Sequence, residues 1–239
     1  MKTRTRNEVD TPYQVIERTL VIRLGGRKRV LSSSSYGGGL GFASQILNHQ
    51  VEANGGLMER YPMPSRYLRD LASRLGLSDE TIGLMTAVPM TQLVTARTTA
   101  QGVWVECFAT VGVTNAVKAG ERPLQSTRAN GGTRPGTINL VVITNASLSI
   151  AAMVGAVQVV TEAKTGVIRD HGVRSRRTRS LATGTGTDVV VIACASRGDG
   201  PPQQYSGTHT VIGSLIGRAV ARCVSQGLAK AAQWQRDSR

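Results

Sequence analysis

Gly136-Thr-Ile-Asn-Leu-Val-Val-Ile-Thr144 is the stretch on which the fold turns. Thr137–Thr144 is nearly continuous in apolar character, the mark of a strand covered on both faces. From Leu148 to about Arg169 the chain becomes a helix rich in alanine and glycine. The same order then returns. Gly186-Thr187 precedes a second apolar strand, Val189–Ala195, and residues 209–233 follow as a long helix. The two Gly-Thr pairs are offset by 50 positions, whereas Val141-Val-Ile143 and Val190-Val-Ile192 are offset by 49. Two equivalent strand–helix units on one sheet explain this echo. Independent convergence on a common strand-to-helix pattern explains it nearly as well.

The last helix carries the cleanest period in the chain. Val211, Ile212, Leu215, Ile216, Ala219, Val220, Cys223, Val224 and Leu228 form one stripe at helical spacing, read as core facing a sheet. Working towards the N-terminus, residues 118–135 are rich in Arg, Gly, Pro, Asn and Thr and read as the main surface loop. Leu93–Thr99 and Val103–Val111 read as strands joined at Gln101-Gly102. Residues 64–76 open with a proline, space Leu68, Leu71 and Leu75 along one face and stop at Gly76, a short helix. Thr19–Leu24 and Arg27–Leu31 read as a hairpin turning at Gly25-Gly26, and Ser32–Ser35 lead into a flexible loop over Gly37–Gly41. Residues 1–13 are polar and basic and read as a frayed tail. The expected architecture is α/β or α+β: a mixed, largely antiparallel sheet of about six strands, covered by two long helices in a single layered domain over residues 14–239.

Composition narrows the function classes. The chain has 239 residues, 40% of them hydrophobic and 18% charged, enough apolar material for a sizeable core. No apolar run approaches the ~18 residues of a membrane span, and the first ten residues hold no signal-type apolar segment. Cys107, Cys194 and Cys223 lie in apolar stretches without metal-like spacing and read as buried thiols, so a cytoplasmic setting is expected. The net charge is +14. Its arginines are dispersed, with clusters only at Arg4–Arg6, Arg27–Arg29 and Arg174–Arg179, and nine aromatics offer little for base stacking. A solvated basic surface is therefore expected ahead of nucleic-acid binding, and no membrane partner.

Out-of-place polar residues gather at strand ends: Thr110–Asn115, Gly136–Asn139, Thr161–Lys164, Thr183–Asp188 and Gly207–Thr210. Loops on a rigid scaffold are where sites are built. Thr183-Gly-Thr-Gly-Thr-Asp188 lacks the Lys-Ser/Thr ending of a phosphate loop and precedes a strand rather than following one, so it reads as a turn displaying hydroxyls and Asp188. Glu162 and Lys164, two apart on a helix, cannot share a face, so at most one can pack on the sheet. His209 stands at a helix N-terminus, where the neutral imidazole needed by a general base is favoured; it reads equally well as a cap. His49 and His171 have no carboxylate-rich company, and no zinc site is expected. The residues allow a hydrolase site without naming its substrate.

The loops taken together resemble a known family, the adenosylcobinamide amidohydrolases of corrinoid salvage. The matching segments are Leu31-Ser-Ser33 with the glycine run, Ile46-Leu-Asn48, Gly83-Leu-Met-Thr-Ala87, Thr114-Asn-Ala116, Ala119-Gly120, Gly136-Thr-Ile-Asn139, Thr161-Glu-Ala-Lys164, Ala182–Asp188 and Gly207-Thr-His-Thr210. They occur in the family's order over about residues 30–225. The resemblance implies hydrolysis of the amide joining a corrin propionyl side chain to aminopropanol, giving adenosylcobyric acid and 1-amino-2-propanol. The cobalt corrinoid is then the substrate, no further cofactor or metal is expected, and a homo-oligomer is compatible. A non-catalytic corrinoid-binding protein and a basic phosphate- or nucleic-acid-binding module are the alternatives.

Cleaving a stable amide requires an activated nucleophile and a stabilised oxyanion. Asp188 or Glu162 with His209 is expected to move protons, with Lys164 and Thr187 beside them and a threonine hydroxyl or water as nucleophile. Asn115 and Asn139 are expected to orient the amide, and Asn48, Met85, Thr86, Thr183 and Thr185 to line the substrate. Asp188, His209 and Glu162 should thus converge on one cleft. The Gly-Thr elbow before a strand also looks like that of internally processed threonine or serine nucleophile hydrolases.

Overall fold

The two echoing strands lie side by side in the computed structural model, which describes residues 9–52, 61, 63–122 and 136–237. Strands β7 (Ile138–Thr144) and β9 (Val189–Cys194) run parallel, with Asn139 opposite Val189 and Val142 opposite Ile192. That register repeats the offset of 50 between the two Gly-Thr pairs. β7 leads into helix α2 (Ile150–Asp170) and β9 into helix α3 (Val211–Asp237). The echo is two strand–helix units on one sheet.

Six more strands extend the pair: β1 (Tyr13–Ile16), β2 (Thr19–Ser32), β3 (Gly39–Gln50), β4 (Thr81–Thr86), β5 (Val94–Ala100) and β6 (Val103–Val111). The order is β4-β3-β2-β9-β7-β6-β5, with β1 on β2. Within this sheet, among the described residues, only the β3–β4 and β7–β9 pairs are parallel. A short parallel pair, β8 (Ser147–Leu148) and β10 (Pro202–Gln203), closes the far ends of β7 and β9.

Eight strands replace the six expected, for identifiable reasons. Thr19–Leu24 and Arg27–Leu31 are not a hairpin. Both halves pair with β3, Arg23 opposite Gln45 and Lys28 opposite Ala43, and Gly25 (φ +68°) and Gly26 (φ +141°) absorb the extra residues as a bulge. Gly39–Gly41, expected in a flexible loop, belongs to β3, because the long β2 edge offers a ladder that outweighs poor strand propensity. β1, β3 and β4 were not expected, and β2 merges two expected strands. The tail expected over residues 1–13 is overturned for residues 9–13. Val9 is buried, and Asp10 and Thr11 donate backbone N–H groups to the buried carboxylate of Glu106 at 2.7 and 3.1 Å. Residues 1–8, and 123–135 of the expected surface loop, lie outside the described residues.

Strand alternation splits the interior into two layers. Leu140, Val142, Cys107, Ala109, Val190 and Ile192 face α2 and α3, where the predicted stripe of α3 is buried except for the half-buried Val211. Val141, Ile143, Phe108, Val191 and Ala193 face the other way, against Leu20, Ile22, Ile46 and Leu84 of the β1–β4 half, which curls over that side. Tyr13 meets Phe108 edge-on at 5.3 Å. The remaining helix among the described residues, α1 (Pro64–Arg74), covers the outer face of β3 and β4 through Leu68, Leu71 and Ala72. All three cysteines are buried and unpaired.

Candidate active site

Asp188 closes the Thr183–Asp188 turn and points to the helix side, in phase with Val190. Lys164 rises to meet it. On α2, Ala156, Val160, Lys164 and Ile168 are four apart and all buried, so the lysine occupies a place in the apolar stripe. Its ammonium lies 2.5 Å from Asp188 Oδ2, with the two side chains 8% and 12% exposed. Asp188 also accepts from the Thr185 hydroxyl, from Thr185 N–H at 3.2 Å and from Ile138 N–H at 3.1 Å. The carboxylate therefore ties the turn, helix α2 and the first residue of β7 together. Removing one member of such a pair leaves an uncompensated buried charge, costing about 3–5 kcal/mol.

A second polar group lies one layer away. Asn139, in phase with Val141, points between the sheets. It donates to Asn48 Oδ1 at 2.9 Å and to the Met85 carbonyl at 2.8 Å, while Asn48 donates to the Thr110 hydroxyl at 3.1 Å. Asn48, Thr110 and Asn139 are almost wholly buried. Thr137 joins the two groups. Its hydroxyl donates to the Thr187 carbonyl at 2.8 Å and lies 3.5 Å from Asn139 Oδ1. Thr183 accepts from Ala119 N–H through its hydroxyl, at 2.8 Å, and from Thr165 through its carbonyl. Thr86 is buried and its hydroxyl accepts from Val88 N–H. In the neighbouring loop the Asn115 Oδ1 is enclosed without a hydrogen-bond partner. A buried acceptor left open is costly and fits a site that awaits a donor.

Asp188, Lys164 and Thr185 thus meet on the helix face at the start of β7, while Asn139 meets Asn48 and Met85 on the opposite face, with Thr137 as the link between the two groups. Thr187 contributes its carbonyl, its side chain being exposed. The expected convergence of Asp188, His209 and Glu162 does not occur. Glu162, two residues from Lys164, is turned outward and exposed. His209 is exposed as well, and belongs to the opposite end of the strands. Ser206 donates to Ala152 O at 2.6 Å, in the first turn of α2. Lys164 lies twelve residues further along that helix, about 18 Å at 1.5 Å per residue. The cause is topological: Asp188 precedes β9, whereas His209 follows it. Sequence reasoning gave no role to Thr110, nor to Thr137 in particular, although a Gly-Thr pair abutting a buried strand was the signal available.

His49 neighbours Asn48 but points out of the other face of β3. It bonds the Thr19 hydroxyl at 2.8 Å and the Tyr67 hydroxyl at 2.9 Å. Its pKa is lowered to about 4, by burial first and then by the positive charges of Arg18 and Arg74.

Hydroxyls set beside a locked ammonium–carboxylate pair and enclosed amides equip a protein for acyl chemistry, and support a hydrolase acting on amide bonds. The comparison with known families is more particular. Residues 2–236 match the adenosylcobinamide amidohydrolase family, and the chain belongs to it. It is 30% identical to an uncharacterised protein of Methanocaldococcus jannaschii, over 89% of this chain and 86% of that one. It is 29% identical to the adenosylcobinamide amidohydrolase of Methanosarcina mazei, over 90% of this chain and 96% of the relative. Among solved structures it is similar to a Burkholderia sp. β-aminopeptidase, with 11% identity, a TM-score of 0.41, and coverage of 89% of this chain and 78% of that one.

Proposed function

We propose that this protein hydrolyses the amide between the corrin propionyl side chain and aminopropanol in adenosylcobinamide, releasing 1-amino-2-propanol and adenosylcobyric acid for corrinoid salvage. The observation that carries this reading is the family match across residues 2–236, whose segments around Asn48 and Asn139 and around Lys164 and Asp188 form two polar groups on the two faces of β7 near its start. In this reading Asp188 and Lys164 are positioning residues that fix the start of β7. Asn139 and Asn48 hold the inner wall, Asn115 receives the amide N–H, and loop N–H groups of the Gly/Thr turns stabilise the oxyanion. The corrinoid is the only cobalt source required, and the reaction belongs to the cytoplasm. The test is incubation of purified protein with adenosylcobinamide, with aminopropanol quantified by mass spectrometry. Stoichiometric release of aminopropanol and cobyric acid is expected; retention of intact cobinamide by well-folded protein contradicts the proposal.

A further inference from the structure

A hydroxyl nucleophile needs a base, and among the described residues no basic side chain contacts the Thr137 hydroxyl, the Asp188 carboxylate being taken up by Lys164, Thr185 and Ile138. Among the described residues the Thr137 hydroxyl meets only the Thr187 carbonyl and Asn139 Oδ1. The Lys164 ammonium is engaged by Asp188. The chain has three histidines. His49 is bonded to Thr19 and Tyr67 on the outer face of β3, His171 to Val167 O and Ser225 at the end of α2, and His209 lies at the opposite end of the strands. One basic group remains that topology could place beside the hydroxyl: the nitrogen of Thr137 itself. In the intact chain it is a peptide nitrogen and has no basicity. Freed as an α-amine, it would have a pKa of about 8, suited to a general base near neutrality.

We infer that Thr137 is the nucleophile of this amidohydrolase and that the chain prepares it by cutting its own Gly136–Thr137 bond. The residue before the bond is shaped for close approach. A Cβ at position 136 would lie 2.7 Å from both Gly112 O and Thr114 Oγ1 and 2.8 Å from Thr114 N, so only glycine fits there. On the other side, Asp188 holds the N–H of Ile138, which fixes the peptide that follows Thr137. The threonine is thus held by a rigid strand on one side and by a packed glycine on the other. Thr137 is only 7% exposed, so its hydroxyl is held out of bulk water.

The chemistry balances with water alone. Thr137 Oγ adds to the Gly136 carbonyl carbon, an ester C–O bond forms, and the Gly136–Thr137 C–N bond breaks. The hydroxyl proton goes to the departing nitrogen, which becomes the α-amine. Water then hydrolyses the ester, leaving the Gly136 carboxylate and a free Thr137 hydroxyl. In the substrate reaction the α-amine takes the hydroxyl proton as Oγ attacks the amide carbonyl. It passes that proton to the leaving aminopropanol nitrogen, and water hydrolyses the acyl-enzyme ester.

This inference rests on the proposed amide hydrolysis, and the two fail separately. The purified full-length protein is analysed by denaturing mass spectrometry and N-terminal sequencing, alongside the aminopropanol assay. Two polypeptides are expected, one ending at Gly136 and one beginning at Thr137, with masses summing to the intact chain plus one water. Thr137→Ala should remain a single folded chain with no aminopropanol release, and Thr137→Ser should be cut and active. Full aminopropanol release by a wild-type chain still uncut overturns the inference and leaves the proposed reaction standing. A cut chain that releases no aminopropanol refutes the proposed reaction but not the cleavage.

Discussion

The two ends of the β7–β9 pair carry comparable polar residues and use them in opposite ways. At the N-terminal end, Asp188 is bonded to Lys164 and Thr185 and Thr137 to Asn139, two groups largely drawn out of water. At the C-terminal end, Arg29, Arg197, Ser147, Ser149 and Gln203 line an open cavity of about 580 Å³, with His209 exposed beyond it. A buried end holds its groups in fixed geometry at a desolvation cost that only mutual pairing offsets. An open end leaves its groups to solvent, where single contacts contribute little. The N-terminal end is therefore the one whose polar groups are held preorganised.

The largest effect that would break this contrast is expected at the ion pair. Lys164→Met strands the Asp188 carboxylate among three remaining donors, and should lower unfolding free energy by about 3–5 kcal/mol in urea titration. Aminopropanol release per folded molecule should fall by about a hundredfold, the cost of misplacing a reacting group that the pair positions, as should that of Asp188→Asn. Near-normal stability and turnover in both variants would reduce the pair to surface decoration.

Asn139→Leu should come next. It leaves Asn48 Oδ1 and the Met85 carbonyl without their donor, at about 2–4 kcal/mol by denaturant unfolding. Little change there would mean that the inner polar group is not a constraint on the two layers.

The neighbouring residue on β3 offers a smaller, pH-dependent contrast. His49 is held neutral in the folded protein down to about pH 4, whereas the unfolded chain takes up its proton near 6.5. The unfolded state thus binds more protons in this window, so stability is complete above pH 6.5 and is lost as pH falls towards 4. The loss attributable to His49 should be on the order of 1–2 kcal/mol once partial solvent access is allowed for, and His49→Gln should remove that part of the pH dependence.

How much was legible in the sequence follows the same division between local and non-local causes. The buried strands, α1, the stripe of α3 and the turn at Gln101-Gly102 were legible because each is written in a local period. Glu162 was expected in the cleft, yet the helical phase set by Ala156, Val160 and Ile168 buries Lys164 and turns Glu162 outward. β3 was missed because its glycines weaken the strand signal and its formation depends on the β2 edge. The bulge at Gly25-Gly26 was mistaken for a hairpin because both features use paired glycines, and only the partner strand distinguishes them. His209 was misplaced since strand direction, not spacing, decides which end a loop occupies. Asn48 and Met85 could be listed from the resemblance, but their contact with Asn139 exists only because the sheet curls over itself.

The smallest expected effects are at exposed side chains, His209 at the open end and Glu162 turned to solvent on α2, and they make the sharpest control. His209→Ala and Glu162→Gln should each leave aminopropanol release within about twofold of wild type, as exposed substitutions away from the centre usually do. The most direct test of the account sets Thr137→Ala beside His209→Ala, comparing initial rates of aminopropanol release from adenosylcobinamide at equal concentrations of protein shown by thermal melting to be folded. The account predicts no detectable release from the first and near-wild-type release from the second. An active Thr137→Ala beside an inactive His209→Ala would contradict it, and would move the chemistry to the other end of the strands.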